Sequence, residues 1–128
     1  MDNSVKSFNQ QLMQLILQSS KATTQVMEMF ELAESGEFET AKAKLQQAKE
    51  GSVTAHNVQT SLIQAEMRGE TPNVSLLAVH AQDHFMNSQL LLQLAELLLK
   101  QQESIAILEG RLRKLEMVGE ENGTSSHT

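Results

Sequence analysis

The chain has 128 residues, about the size of one domain, and its hydrophobic fraction of 40% is sufficient for a core. Only 3% of the residues are aromatic, so aliphatic side chains and methionine must fill that core, a composition typical of all-helical proteins. The net charge of -6 argues against binding to nucleic acid or to an anionic membrane, and no apolar run could span a bilayer. The absence of cysteine excludes disulfides and thiolate sites. We therefore expect a cytoplasmic protein without direct membrane insertion.

The first predicted helix runs from Val5 to about Glu34. Its apolar residues recur at helical spacing along one stripe: Phe8, Leu12, Leu15, Ile16, Val26, Met29, Phe30 and Ala33. Ser19 and Ser20 interrupt that stripe with small polar side chains. Two interpretations of this pair stay open. Small residues permit a close helix crossing, and hydroxyl groups can lie beside a functional site on another helix.

The second predicted helix runs from about Phe38 to Arg68. Gly36 before it can adopt the left-handed conformation that ends a helix, and we expect Gly69 to end the second helix. His56 lies near the apolar side of this helix. A histidine in that position usually forms a contact across a helix interface, so we expect it to affect stability more than chemistry.

The third predicted helix begins with Thr71 as its N-cap and Pro72 at its first position. It runs to at least Gln102 and could continue to Met117, with Gly110 as a weak point. The sequence from Gly119 onward has no hydrophobic residue. We therefore predict one domain over residues 1–117 and a disordered tail over residues 118–128.

Short connections between the three helices predict an all-α, up-down-up three-helix bundle. The third helix carries more leucine than one buried stripe requires, because residues 90–92 and residues 97–99 are all leucine. This excess predicts a second buried face, and hence an oligomer.

A polar cluster interrupts the third helix at His80, Asp83 and His84. Positions three and four apart share one face of a helix, so His80 has both other residues beside it. Leu91 and Leu94 continue much the same face. We therefore expect the cluster to meet the packed side of the helix, where polar groups are costly unless they are partnered.

Several chemistries suit this cluster. An imidazole can accept a phosphoryl group or a proton, and two histidines four apart can hold a transition metal. A carboxylate can hold a hard cation or orient a histidine. The alternative is a polar patch at a helix contact without any chemistry. The residues alone leave all of these open.

Residues 79–86, Val-His-Ala-Gln-Asp-His-Phe-Met, resemble the active-site signature of the lactose/cellobiose-type IIA proteins of the bacterial sugar phosphotransferase system. Residues 33–41 are similar to the first turn of that family, and residues 55–64 to its second-helix motif. Two departures stand out. Residues 19–22, Ser-Ser-Lys-Ala, replace a Gly-containing stretch, and the chain extends past the usual end of the family near Gln102.

The resemblance implies a homotrimer of three-helix bundles and a phosphotransferase component that uses no nucleotide. It also implies that His80 accepts a phosphoryl group from the phosphohistidine of the carrier HPr and passes it to a cysteine of the IIB component during sugar uptake. His84 would lie beside that site in a supporting role. Asp83 and its copies would bind one divalent cation per trimer, and oxygen ligands favour Mg²⁺.

Two alternatives to this transport function remain at this stage. One is a non-catalytic helical oligomer with a structural metal site. The other is a regulatory IIA paralogue that is phosphorylated but transports nothing. The sequence does not identify the sugar, because a IIA component does not contact sugar in this scheme.

Overall fold

The computed structural model describes residues 3–125, which form three α-helices and, within that range, no strand. Helix α1 spans Asn3–Glu34, α2 spans Phe38–Met67 and α3 spans Leu76–Ser125. The prediction of an all-helical, three-helix protein is confirmed. None of these three helices, as far as residues 3–125 describe them, has an apolar stretch long enough to cross a membrane.

Two clusters of buried side chains hold the helices together. The cluster near the α1–α2 turn consists of Val26, Met29, Ala33, Ala41, Leu45, Ala48, Leu92, Ala95 and Leu99. The second cluster consists of Leu12, Leu15, Ala55, Leu62, Ala81 and Phe85. The start of α1 therefore packs with the end of α2 and the start of α3. This arrangement is the predicted up-down-up order.

A buried serine from each helix lies between these clusters: Ser19, Ser52 and Ser88. The Ser88 hydroxyl donates to the carbonyl of Phe85 at 2.8 Å, and Gln89 Nε2 donates to Ser52 Oγ. Ser19 Oγ has no hydrogen-bond partner among the described residues. Small side chains at this level let the three helices approach closely.

The first two helices end in the same way, at a glycine with positive φ. Gly36 has a φ of 79°, and its N–H donates to the carbonyl of Ala33 at 3.0 Å. The next N–H, from Glu37, donates to the carbonyl of Leu32 at 2.9 Å. An equivalent pair of bonds, 2.9 and 3.0 Å long, closes the turn at Gly69, where φ is 71°. Glycine adopts this left-handed conformation without strain, so both predicted helix ends are confirmed.

The predicted start of α3 is wrong. Thr71 and Pro72 lie in the connection, and the helix begins at Leu76. Ser75 is the N-cap, because its Oγ accepts a hydrogen bond from the N–H of Ala78 at 3.2 Å. A proline after threonine suits a loop as well as a first helical turn. The side-chain cap at Ser75, which satisfies an otherwise unpaired amide, fixes the boundary instead.

Residues 118–125, the first part of the predicted disordered tail, are helical in the structure, where α3 continues through Gly110 and Gly119 to Ser125. Neither glycine has the left-handed backbone that ends α1 and α2, and no proline follows residue 72. Neither a left-handed glycine nor a proline therefore interrupts the helical hydrogen bonds of this segment. Every side chain from Ile107 to Gly123 is exposed, so this end of α3 extends past its own bundle. The rest of the predicted tail, residues 126–128, lies outside the described residues.

Candidate functional site

The structure brings the two signature histidines into contact near the start of α3. The rings of His80 and His84 have centroids 4.5 Å apart, and their planes meet at 80° in an edge-to-face arrangement. One helical turn separates the two residues, so the backbone itself sets this contact. Asp83 lies on the same turn and is exposed. The three predicted site residues thus share one short surface of α3.

This surface is more open than the sequence suggested. His80 and Asp83 are exposed and His84 is half-buried. The side of α3 that enters the core instead follows Ala81 and Phe85. The expectation that the cluster meets the packed side of the helix is therefore wrong within a single chain. The apolar residues of α3 form more than one face, and the sequence does not distinguish the face that packs on α1. Because His80 is exposed, its ring is accessible to a protein partner.

The two serines on α1 have different roles, and each of the two interpretations applies to one of them. Ser20 Oγ lies 3.5 Å from His84 Nδ1, a long hydrogen bond that joins α1 to the histidine pair. Ser19 points into the helix crossing and is only 1% exposed. A hydroxyl can donate or accept, so Ser20 can hold the ring of His84 in either tautomer. Ser20 is therefore part of the site, and Ser19 belongs to the helix crossing.

Two glutamines provide a cross-helix bond that sequence reasoning missed. Gln59 Nε2 on α2 donates to Gln82 Oε1 on α3 at 2.7 Å. Gln82 lies between His80 and Asp83 in sequence, so this bond holds α2 against the turn that carries the site. Its position inside the signature was the signal that could have identified it. His56, by contrast, is exposed, and its ring centroid lies 6.2 Å from that of the buried Phe85.

A cavity of about 240 Å³ opens beside Asp83. Gln82, Asp83 and Glu66 are its polar lining residues, and the remainder are apolar residues from all three helices and from the connection before α3. The Asp83 carboxylate therefore lies where the solvent-exposed surface meets the apolar lining of the cavity.

Asp83 alone does not make a metal site. No group of three or more His, Cys, Asp or Glu side chains within the described part of the chain could hold an ion. A hard cation needs about six oxygen ligands, which one carboxylate does not supply. The exposed position of Asp83 fits a cation only if water and other chains complete the shell.

Comparison with known proteins supports one family. The family model described as the PTS system, lactose/cellobiose-specific IIA subunit, matches residues 10–103. The lichenan-specific phosphotransferase enzyme IIA component of Bacillus subtilis is 38% identical over 105 residues, which are 82% of this chain and 96% of that protein.

Solved structures agree with this match. The crystal structure of the PTS cellobiose-specific enzyme IIA from Bacillus anthracis has a TM-score of 0.73 at 38% identity, covering 77% of this chain and 90% of that one. The solution structure of the Escherichia coli IIA(Chitobiose)–HPr complex gives 0.67 at 34% identity, covering 76% and 94%. With its three-helix fold, its signature histidines on α3 and these matches, the chain belongs to the lactose/cellobiose-specific IIA family of the phosphotransferase system.

Proposed function

We propose that this IIA protein is a phosphocarrier in which His80 accepts a phosphoryl group from phospho-HPr and passes it to a cysteine of a IIB component during sugar uptake. The observation that carries the proposal is the exposed imidazole of His80 at the start of α3, with the His84 ring 4.5 Å away. HPr is the expected donor because a relative at 34% identity has been solved in complex with it.

In this chemistry one phosphoryl group moves from a histidine nitrogen of HPr to a nitrogen of His80, and then to the sulfur of the IIB cysteine. A neutral imidazole nitrogen of His80 forms a bond to phosphorus as the bond to the donor histidine breaks, and the donor ring regains its lone pair. The thiolate of the IIB cysteine then forms the next bond to phosphorus and releases His80. Such transfers depend on alignment and on charge stabilisation more than on proton transfer.

The neighbours of His80 suit these two requirements. His84 can position the His80 ring through the edge contact and can donate an N–H to a phosphoryl oxygen. Ser20 in turn restrains His84 from α1. The Gln59–Gln82 bond limits movement of the turn between His80 and Asp83. Each contact reduces the conformational entropy that the site residues must lose when the donor protein docks.

We also propose the homotrimer that the leucine-rich third helix suggested. Leu90, Leu94, Leu97 and Leu98 are each 45% exposed or more in the single chain. Burial in an assembly would remove this apolar surface from water. Three Asp83 carboxylates brought together would repel one another unless a cation or a proton intervened. In that arrangement the three Asp83 side chains would hold Mg²⁺ with water, and the ion would supply charge neutralisation at the subunit contact.

Two measurements test these proposals separately. Purified protein incubated with enzyme I, HPr and labelled phosphoenolpyruvate should take up label, and a matching IIB component should discharge it. Failure to take up label from phospho-HPr would refute the phosphocarrier function. Chelation of divalent cations should lower the thermal midpoint of the assembly, and an unchanged midpoint would argue against the metal site alone.

A further inference from the structure

The last part of α3 carries an apolar stripe that its own bundle leaves uncovered. Ile105, Leu108, Leu112 and Leu115 follow one another at intervals of three or four residues, and each is between 48% and 69% exposed. The family model ends at residue 103, just before this stripe begins. It is a feature of this chain that the phosphocarrier function does not explain.

The stripe continues a repeat that begins inside the bundle. Leu91 and Leu98 precede Ile105 and Leu112 at intervals of seven, and Leu94 precedes Leu108 and Leu115 in the companion positions. Gln101 is the single polar residue in this series from Leu91 to Leu115. In coiled-coil notation the first set occupies position a and the second set position d. A strict seven-residue repeat winds helices around each other in a left-handed supercoil.

We propose that residues 102–118 form a parallel, in-register coiled coil with the same segment of other copies of this chain. The occupant is a second copy because the stripe is continuous with Leu94 and Leu98, which are themselves exposed on the face expected to join subunits. A continuous α3 carries both surfaces, so copies that meet at the first surface also meet at the second. The choice of a second copy as the occupant and the number of helices, three, both rest on the proposed trimer.

Charge complementarity supports the parallel direction. Arg111 occupies position g, and Glu109 and Glu116 occupy position e. In a parallel coil, g of one helix lies beside e of the following heptad on its neighbour, so Arg111 faces Glu116. In an antiparallel coil e faces e, which would set Glu109 against Glu116. Within residues 3–125 neither Arg111 nor Glu116 forms an ion pair in the single chain, so both are available to a neighbouring copy.

The proposed coil is remote from the phosphoryl site. Ile105 lies about 37 Å along the helix axis from His80, at a rise of about 1.5 Å per residue. The coil therefore adds a contact between copies at the C-terminal end of α3, far from the His80 surface. Changes to the coil should alter association without altering the chemistry.

The first test compares two substitutions on opposite sides of the same helical segment. Leu112→Glu places a charge in the stripe, and Ile107→Glu places one at an equally exposed apolar position outside it; the two residues are 56% and 63% exposed. Sedimentation equilibrium of the full-length proteins should show association weakened at least tenfold by Leu112→Glu and unchanged by Ile107→Glu. Equal association in both variants and the wild type would overturn the proposal.

The second test measures direction and register. The chain has no cysteine, so a single introduced cysteine reports one contact. Leu115→Cys should form an intermolecular disulfide readily under mild oxidation, because parallel d positions bring the two Cα atoms within the roughly 7 Å that a disulfide requires. Met117→Cys, on the outer side, should not. Equal crosslinking of the two variants, or none in either, would refute the parallel coil.

These results are independent of the phosphocarrier proposal. An associating wild type with unimpaired phosphorylation, and with no effect of Leu112→Glu, would refute the coil and leave the function of His80 standing. Specific crosslinking at position 115 without phosphorylation of His80 would refute the phosphocarrier proposal and leave the coil standing. A wild type that stays monomeric at high protein concentration would refute the coil and the trimer together.

Discussion

Enlarging Ala81 tests whether the packing of α3 on α1 positions the phosphoryl acceptor. Ala81 is 0% exposed and lies directly after His80, in the cluster that contains Leu12 and Leu15. Leucine at this position adds three carbons to a filled interface, which typically costs about 1–3 kcal/mol of stability. The free energy of unfolding should fall by that amount. In a domain of this size each kcal/mol corresponds to roughly 4 °C in the thermal midpoint.

Ala95→Leu is the matched control. Ala95 is also 0% exposed on α3, but it belongs to the other cluster, about 21 Å along the helix from Ala81. Both variants should lose similar stability, because both overfill a close helix contact. Only Ala81→Leu pushes the His80 turn away from α1. Since a misplacement of about 1 Å can cost roughly 100-fold in rate, we expect phosphoryl transfer to slow by roughly 10- to 100-fold in that variant alone.

The assay is rapid-quench transfer of labelled phosphoryl from phospho-HPr, run well below the thermal midpoint of the less stable variant. Urea denaturation of the same preparations supplies the change in the free energy of unfolding. Wild-type transfer by Ala81→Leu, despite the expected loss of stability, would refute the claim that this contact positions His80. Equal slowing in Ala95→Leu would show that loss of stability alone limits transfer.

Two further predictions concern the neighbours of His80. His84→Ala removes the edge contact and should slow transfer from phospho-HPr while leaving His80 able to accept label, so an unchanged transfer rate would remove His84 from the site. The 2.7 Å bond between Gln59 and Gln82 should contribute about 0.5–1.5 kcal/mol to the free energy of unfolding, measurable as the coupling energy of a double-mutant cycle with alanine at each position. A coupling energy of zero would mean that the bond does not stabilise the α2–α3 contact.

Local sequence signals predicted the helix ends where the chemistry allows few solutions. Gly36 and Gly69 end their helices as predicted, and both have a left-handed backbone, in which other residues are strained. The start of α3 was mispredicted because several cap-forming residues, Thr71 and Ser75 among them, precede it. Which one caps the helix depends on where α3 meets α1 and α2. That is a tertiary property, which a local pattern does not contain.

The composition of the site was predicted better than its surroundings. Helical spacing alone brought His80, Asp83 and His84 onto one turn. It did not reveal that His80 is exposed, because burial depends on which apolar face of α3 packs on α1. The contact between Ser20 and His84 joins residues far apart in sequence, so no spacing rule applies to it. Sequence reasoning gave it only as one of two alternatives.

The measurement that tests the central claim most directly is the location of the transferred phosphate. Wild-type protein and the variants His80→Ala and His56→Ala would each be labelled from phosphoenolpyruvate through enzyme I and HPr, then digested and mapped under alkaline conditions. We expect acid-labile, base-stable label on the peptide that contains His80 in the wild type and in His56→Ala, and no label in His80→Ala. Stoichiometric labelling of His80→Ala would contradict the account, because the phosphoryl group would then have another acceptor.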